Sequence, residues 1–70
     1  MIEVFKTDIQ DVAEASIVGL LLKSNYKLKK VSFDLQDCDR ILRIESTQID
    51  AIQIVDKLTS LGIQCSLLPD

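Results

Sequence analysis

The chain has no histidine and no tryptophan, and its 70 residues include only two cysteines, two glycines and one proline. Without histidine there is no imidazole ligand and no side chain whose ordinary pKa lies near neutrality. A Ser–His or Cys–His pair cannot be assembled within one chain, which removes most catalytic constellations. Cys38 and Cys65 are too few for a disulfide framework and do not form a Cys-x-x-Cys pair. Gly19 and Gly62 stand far apart, so no glycine-rich phosphate loop exists. The three aromatics, Phe5, Tyr26 and Phe33, do not make a stacking motif of the kind that binds single strands. Excess positive charge is also missing: eleven acids against eight bases give a net charge of −3. Nucleic acid is therefore not an expected partner, because binding it rests on basic surface that neutralises phosphates. The longest apolar run, Ile17-Val18-Gly19-Leu20-Leu21-Leu22, is far short of the roughly 18 residues of a membrane span, so no membrane insertion is expected. The first residues lack the basic start and apolar stretch of a signal peptide, and a cytoplasmic protein is expected.

What is there reads as one globular domain, residues 1–70. Hydrophobic residues make up 47% of the chain and charged residues 27%, which argues against disorder. A domain this small buries only about 60% of the surface of its unfolded chain, so modest stability is expected. Strand-like runs fall at Ile2–Thr7, Lys29–Leu35, Arg40–Glu45 and Ile63–Leu68, and helix-like runs at Val12–Lys23 and Gln48–Leu61. Four residues, Gln36-Asp37-Cys38-Asp39, separate the middle strands and predict a hairpin. Strand–helix–strand–strand–helix–strand is the split βαβ order, and the fold class expected is α+β, a ferredoxin-like βαββαβ sandwich. Right-handed crossovers and the tight hairpin give an antiparallel sheet of order 4-1-3-2 with two helices on one face.

Within these runs the apolar periods predict which residues face inward. Val31, Phe33 and Leu35 share one side of the second strand, Leu42 and Ile44 of the third, and Ile63, Cys65 and Leu67 of the fourth. The first strand has apolar residues on both faces and reads as central, with either Val4 or Phe5 left on the outer face beside Ile41. Leu68 is a further candidate for that face. Asp11 and Glu14 resemble a capping box at the first helix, with Val12, Ala15, Val18 and Leu22 as its inner stripe and Ile17, Leu20 and Leu21 widening it. Asn25 and Tyr26 are expected to end it. Thr47 with Asp50 reads as the cap of the second helix, and Ile52, Val55 and Leu58 or Thr59 as its inner stripe with Ala51 and Leu61 adding to it. Ile54 is then expected at the surface, and Gly62 as the residue that closes the helix.

The expected topology gathers three connections at one end, and with them Asp8, Asp11, Glu14, Asp34, Asp37, Asp39 and Cys38, with Arg40 as the counter-charge. Lys27-Leu28-Lys29-Lys30 lies toward the other end and reads as protection of an edge strand. Two kinds of chemistry fit the acidic end. Asp8, Asp11, Asp37 and Asp39 would complement a basic protein partner. Alternatively, Cys38 with Asp37 and Asp39 would bind Zn(II) or another borderline cation, across a dimer if two chains share it. The plainer readings are a polar turn for Asp37-Cys38-Asp39 and helix capping for Asp11 and Glu14, which would otherwise be hard-cation ligands. Cys65 reads as a small buried hydrophobe. The expected edges of strands two and four keep Cys38 and Cys65 apart and disfavour a disulfide. A homodimer stands beside a monomer, through scattered apolar residues of the outer face or through a free sheet edge.

Val4-Phe5-Lys6-Thr7 before a loop and helix, Val31-Ser32-Phe33-Asp34-Leu35, and Ile54-Val55-Asp56-Lys57-Leu58-Thr59-Ser60-Leu61-Gly62 together resemble the heavy-metal-associated domain. That family includes small copper chaperones and the soluble domains of metal-pumping ATPases. The likeness spans nearly the whole chain and rests mostly on apolar spacing and the helix–Leu-Gly–strand ending. The chain looks closer still to small bacterial proteins of this shape with an Asp-Leu-x-Asp-Cys-Asp hairpin. The family's soft-metal site is a Cys-x-x-Cys in the loop after the first strand, where two thiolates close on one ion. Here that loop reads Thr7-Asp8-Ile9-Gln10-Asp11-Val12-Ala13-Glu14, and no family ligand carries over. The resemblance therefore implies a non-enzymatic binding module without a cofactor, working through protein contacts, with metal binding through Cys38 as the alternative.

Overall fold

A computed structural model describes residues 1–36 and 39–69. Among these residues the element order is β1 (Ile2–Thr7), α1 (Val12–Tyr26), β2 (Lys30–Asp34), β3 (Ile41–Glu45), α2 (Ala51–Ser60) and β4 (Cys65–Leu67). The four strands form one antiparallel sheet of order β2-β3-β1-β4, the expected order read from the other edge. Its centre is a row of facing side chains: Phe5 stands opposite Leu42 on one side and Leu67 on the other, and Leu42 also faces Phe33. Such cross-strand apolar pairs are the unit of sheet stability.

Phe5, Leu42 and Ile44 are fully buried and join Ala15, Val18 and Leu22 of α1 and Ile54 and Leu58 of α2 in one core. Ile9, Leu28 and Ile63 close it from the connections. The alternate residues Lys6, Lys30, Ser32, Asp34, Arg43 and Glu45 are exposed. Val4 and Ile41 are half-buried on that outer side, so Phe5 is the residue of β1 that enters the core.

The helix ends explain where the boundaries depart from expectation. Asp11 caps α1, its Oδ1 accepting the Ala13 N–H at 2.8 Å. Glu14 sits in the first turn, where its charge suits the helix dipole. The helix runs past Lys23 and ends at Tyr26, as Asn25 and Tyr26 lead one to expect, and its C-cap is Lys27 in a left-handed conformation (φ 52°, ψ 44°). The N–H groups of Lys27 and Leu28 both donate to the Lys23 carbonyl, and buried Leu28 anchors the turn. Val12 was expected in the core stripe and is 72% exposed. Ala15, Val18 and Leu22 set the buried direction, and Val12 lies rotated from it toward β2.

α2 begins at Ala51, not Gln48, because Asp50 rather than Thr47 is its cap; Asp50 Oδ1 accepts from the N–H groups of Ile52 and Gln53. That start aligns Ala51, Ile54, Val55 and Leu58 at the i, i+3, i+4, i+7 spacing of one face. Ala51, Val55 and Leu58 face inward as expected, but Ile54 is buried and Ile52 is 73% exposed, the reverse of the sequence reading. Leu61 is also exposed. Gly62 (φ 83°) closes the helix with its N–H on the Thr59 carbonyl and the Ile63 N–H on that of Leu58, a Schellman ending that packs Ile63 against the buried end of α2. β4 is shorter than expected. Leu67 keeps its inward parity but is 46% exposed beside Ile52 and Val55, where the edge of the sheet is left open.

Two positive-φ positions make opposite predictions. Lys27→Gly should raise stability by about 1 kcal/mol, because glycine takes the left-handed region without the steric cost that a Cβ brings. Gly62→Ala should lower it by about 1 kcal/mol through backbone strain alone, since an added Cβ meets nothing within 4 Å. Urea unfolding midpoints of the two variants would check this, and a lower midpoint for Lys27→Gly would refute the strain argument.

Candidate functional site

The end of the molecule singled out by the sequence is held together by Thr7. This residue is buried, and its Oγ1 donates to the Arg40 carbonyl at 2.7 Å and accepts the Ile9 N–H at 3.3 Å. The Thr7 N–H is shared between the carbonyls of Asp39 and Arg40, both at 3.2 Å, so two residues of the incoming strand oppose one of β1. That bulge is accommodated by Arg40 in a left-handed conformation (φ 49°). Across the same end, Asp8 Oδ1 accepts the Gln64 N–H at 3.1 Å and ties the β1–α1 loop to the segment entering β4.

These bonds give most of the carboxylates proposed for recognition a place in the fold. Asp8 holds Gln64, and Asp11 caps α1. Asp39 lies 3.6 Å from Lys6 Nζ in an ion pair exposed on both sides. Such exposed pairs contribute only ~0–1 kcal/mol. Lys6 thus supplies counter-charge at Asp39. Arg40 turns its Nη1 to the Leu35 carbonyl at 2.6 Å and braces the end of β2. Asp37 and Cys38 lie outside the described residues. Among the described residues, no three acidic or thiol side chains are gathered as ion ligands would be.

Cys65 is half-buried in a shallow depression with Lys6, Thr7, Gln64 and Ser66. Burial pushes its thiol up to about 11, away from the range of a useful nucleophile. This agrees with its reading as a small apolar side chain.

A second surface lies along α1 and is mostly apolar. α1 is apolar around most of its circumference: Ala15, Val18 and Leu22 face the core while Val12, Ile17 and Leu20 face solvent. Between α1 and the edge strand β2 runs an open groove lined by Val12, Gly19, Leu20, Val31 and Phe33, with Lys23 at its rim. Gly19 forms part of its floor; a Cβ there would lie 3.5 Å from the Phe33 ring and 3.8 Å from Val31 Cγ1. The sequence signal for this face was the apolar run at residues 17–22, read as widening the core stripe. No family model, curated protein or solved structure matches the chain.

Thr7→Val keeps the shape and removes the hydroxyl. The Arg40 carbonyl keeps the Thr7 N–H, whereas the buried Ile9 N–H loses its partner. A loss of about 1–2 kcal/mol is expected from chemical unfolding, and an unchanged midpoint would show that the hydroxyl is not what holds this junction. In a Cys38→Ser background, Cys65 should carry about a hundredfold less thiolate at pH 8 than an ordinary cysteine. Its alkylation should keep rising with pH toward about 11. A rate that levels off near pH 9 would contradict the effect of burial.

Proposed function

We propose that the chain is a non-enzymatic binding module of ferredoxin-like architecture, related to the heavy-metal-associated domains and working through protein contacts across the α1–β2 face. The observation that carries this reading is the apolar circumference of α1. Apolar residues outside a helix's core stripe are normally few, yet α1 leaves Val12, Ile17 and Leu20 exposed among its polar residues while the core covers one side only. Val12 and Leu20 are each more than two-thirds exposed beside the half-buried Phe33 and Val31. Contiguous apolar surface of this kind marks an interaction site, whereas single exposed apolar residues do not.

The acidic end is the weaker candidate for recognition. Asp8 and Asp11 are engaged by the backbone of their own chain, and Asp39 is paired with Lys6. Exposed carboxylates of this kind steer an encounter more than they hold a complex. The non-enzymatic part of the reading is supported by the lack of histidine and by the raised thiol of Cys65.

A photo-cross-linking residue in place of Leu20, compared with one in place of Arg43 on the outer face of the sheet, tests the proposal in the cells that make the protein. Protein adducts at position 20 and not at position 43 are expected. Adducts at neither position, or at 43 alone, would overturn it.

A further inference from the structure

We infer that the partner of the α1–β2 face is a second copy of this chain, joined through the free edge of β2 in an antiparallel two-fold pairing centred on Ser32. The inference rests on the protein-contact reading above and names its occupant. β2 is an edge strand, with β3 on one side and no strand on the other among the described residues. A strand that pairs with its own copy about a two-fold axis must be complementary to itself, because residue i meets j and j meets i.

The sequence of β2, Lys30-Val31-Ser32-Phe33-Asp34, meets that condition. With Ser32 opposite its own copy, Lys30 faces Asp34 and Asp34 faces Lys30 on the outer side of the sheet. Val31 faces Phe33, and Phe33 faces Val31, on the side of the helices. All five residues are paired, opposite charges meet twice, and the groove walls of the two copies meet under Val12 and Leu20 of both. Shifting the copy by two residues either way sets Lys30 against Ser32 or Asp34 against Ser32 and loses both charge pairs. Inner residues remain opposite inner residues only at such even shifts, since a one-residue slip turns every side chain to the other face.

The lysine of this edge then has a selective role. An edge lysine discourages pairing with strands in general. Asp34, four residues on, makes this strand's own copy the exception. Lys30 stands opposite Glu45 of β3 within the chain, and Asp34 accepts the Gln36 N–H at 3.2 Å. Among the described residues neither is in an ion pair, and both are exposed. Their charges are open to a copy approaching the edge.

Sedimentation equilibrium and native mass spectrometry of the reduced chain, which excludes any disulfide through Cys38, test the inference. The unaltered chain should show a concentration-dependent dimer. Lys30→Asp and Asp34→Lys should each weaken it about tenfold or more, since each places two like-charge pairs across the axis. An equimolar mixture of these two variants should form the mixed dimer in preference to either self-dimer. The doubly exchanged chain, Lys30→Asp with Asp34→Lys, should recover the original constant to within about threefold. Misfolding of a single variant cannot imitate those two recoveries. A chain monomeric up to about 1 mM would overturn self-pairing. So would a dimer indifferent to the charge exchanges, which would lie on another surface such as the β4 edge. Cross-links from position 20 to a different protein, with a monomeric chain, would remove the second copy and leave the protein-contact reading standing. No cross-links at position 20 would remove both.

Discussion

Phe5 on β1 facing Leu42 on β3 is the contact around which the rest of this small molecule is arranged. The two central strands pair over five positions, from Ile2 with Glu45 to Lys6 with Ile41, although they are separated by a helix, a strand and a turn. β2 and β4 attach to the outer sides of this pair, and the buried residues of both helices reach the core through Phe5, Leu42 and Ile44. Contacts so distant in sequence are costly in chain entropy before they stabilise anything. The ends of the pair are accordingly fixed by specific bonds. Thr7 locks one end by accepting from Ile9 and donating to Arg40, and the Ser46 N–H on the Met1 carbonyl marks the other. The left-handed Arg40 follows from this arrangement, since the chain must place two carbonyls against the one N–H of Thr7.

A chain of this size has little apolar surface to spare, which gives the outward side of α1 its weight. A buried leucine or valine side chain contributes about 1.5–3 kcal/mol relative to an exposed one. Val12 and Leu20 forgo that contribution in the isolated chain, and their exposure beside Phe33 adds a standing tendency to associate. α2 shows the contrast within the same molecule. Its polar residues Gln53, Asp56, Thr59 and Ser60 are exposed, and Ile54 and Leu58 face the core. Ile52, 73% exposed, is the exception in α2, whereas α1 leaves Val12, Ile17 and Leu20 exposed together.

Strand order, sheet order, the Asp11 cap and the Gly62 ending were legible because each follows from a local rule with one outcome: alternation, crossover handedness, a side-chain oxygen before a helix, a residue free to take positive φ. Helix phase was legible only in part, for two physical reasons. In α1 nearly every direction is apolar, so periodicity cannot say that Val12 faces outward. In α2, Ile52 and Ile54 are equally apolar and flank the stripe of Ala51, Val55 and Leu58, and only tertiary fit buries Ile54 and leaves Ile52 outside. The same limit applies to the charges. Sequence proximity suggested Arg40 as the counter-charge of the acidic end, and could not show that the pairing of β1 with β3 also brings Lys6 to Asp39 or that Arg40 reaches the Leu35 carbonyl. Lys27, a left-handed cap without glycine, carries no sequence signal; buried Leu28 holds it there.

The carboxylates of the loop after β1 have structural roles in this chain. Two of them accept backbone N–H groups. Asp8 ties the loop to the backbone of Gln64, and Asp11 satisfies the first turn of α1. A carboxylate oxygen that accepts backbone N–H groups has fewer lone pairs to offer a cation, so the features that order this loop without metal also make it a poorer metal site. With that end committed to holding strands and helix together, the surface left unsatisfied is apolar and lies along α1 and β2. Apolar burial is strong but does not choose a register. The alternation of charge along the outer side of β2 supplies that choice, so affinity and specificity reside on opposite sides of the same five residues.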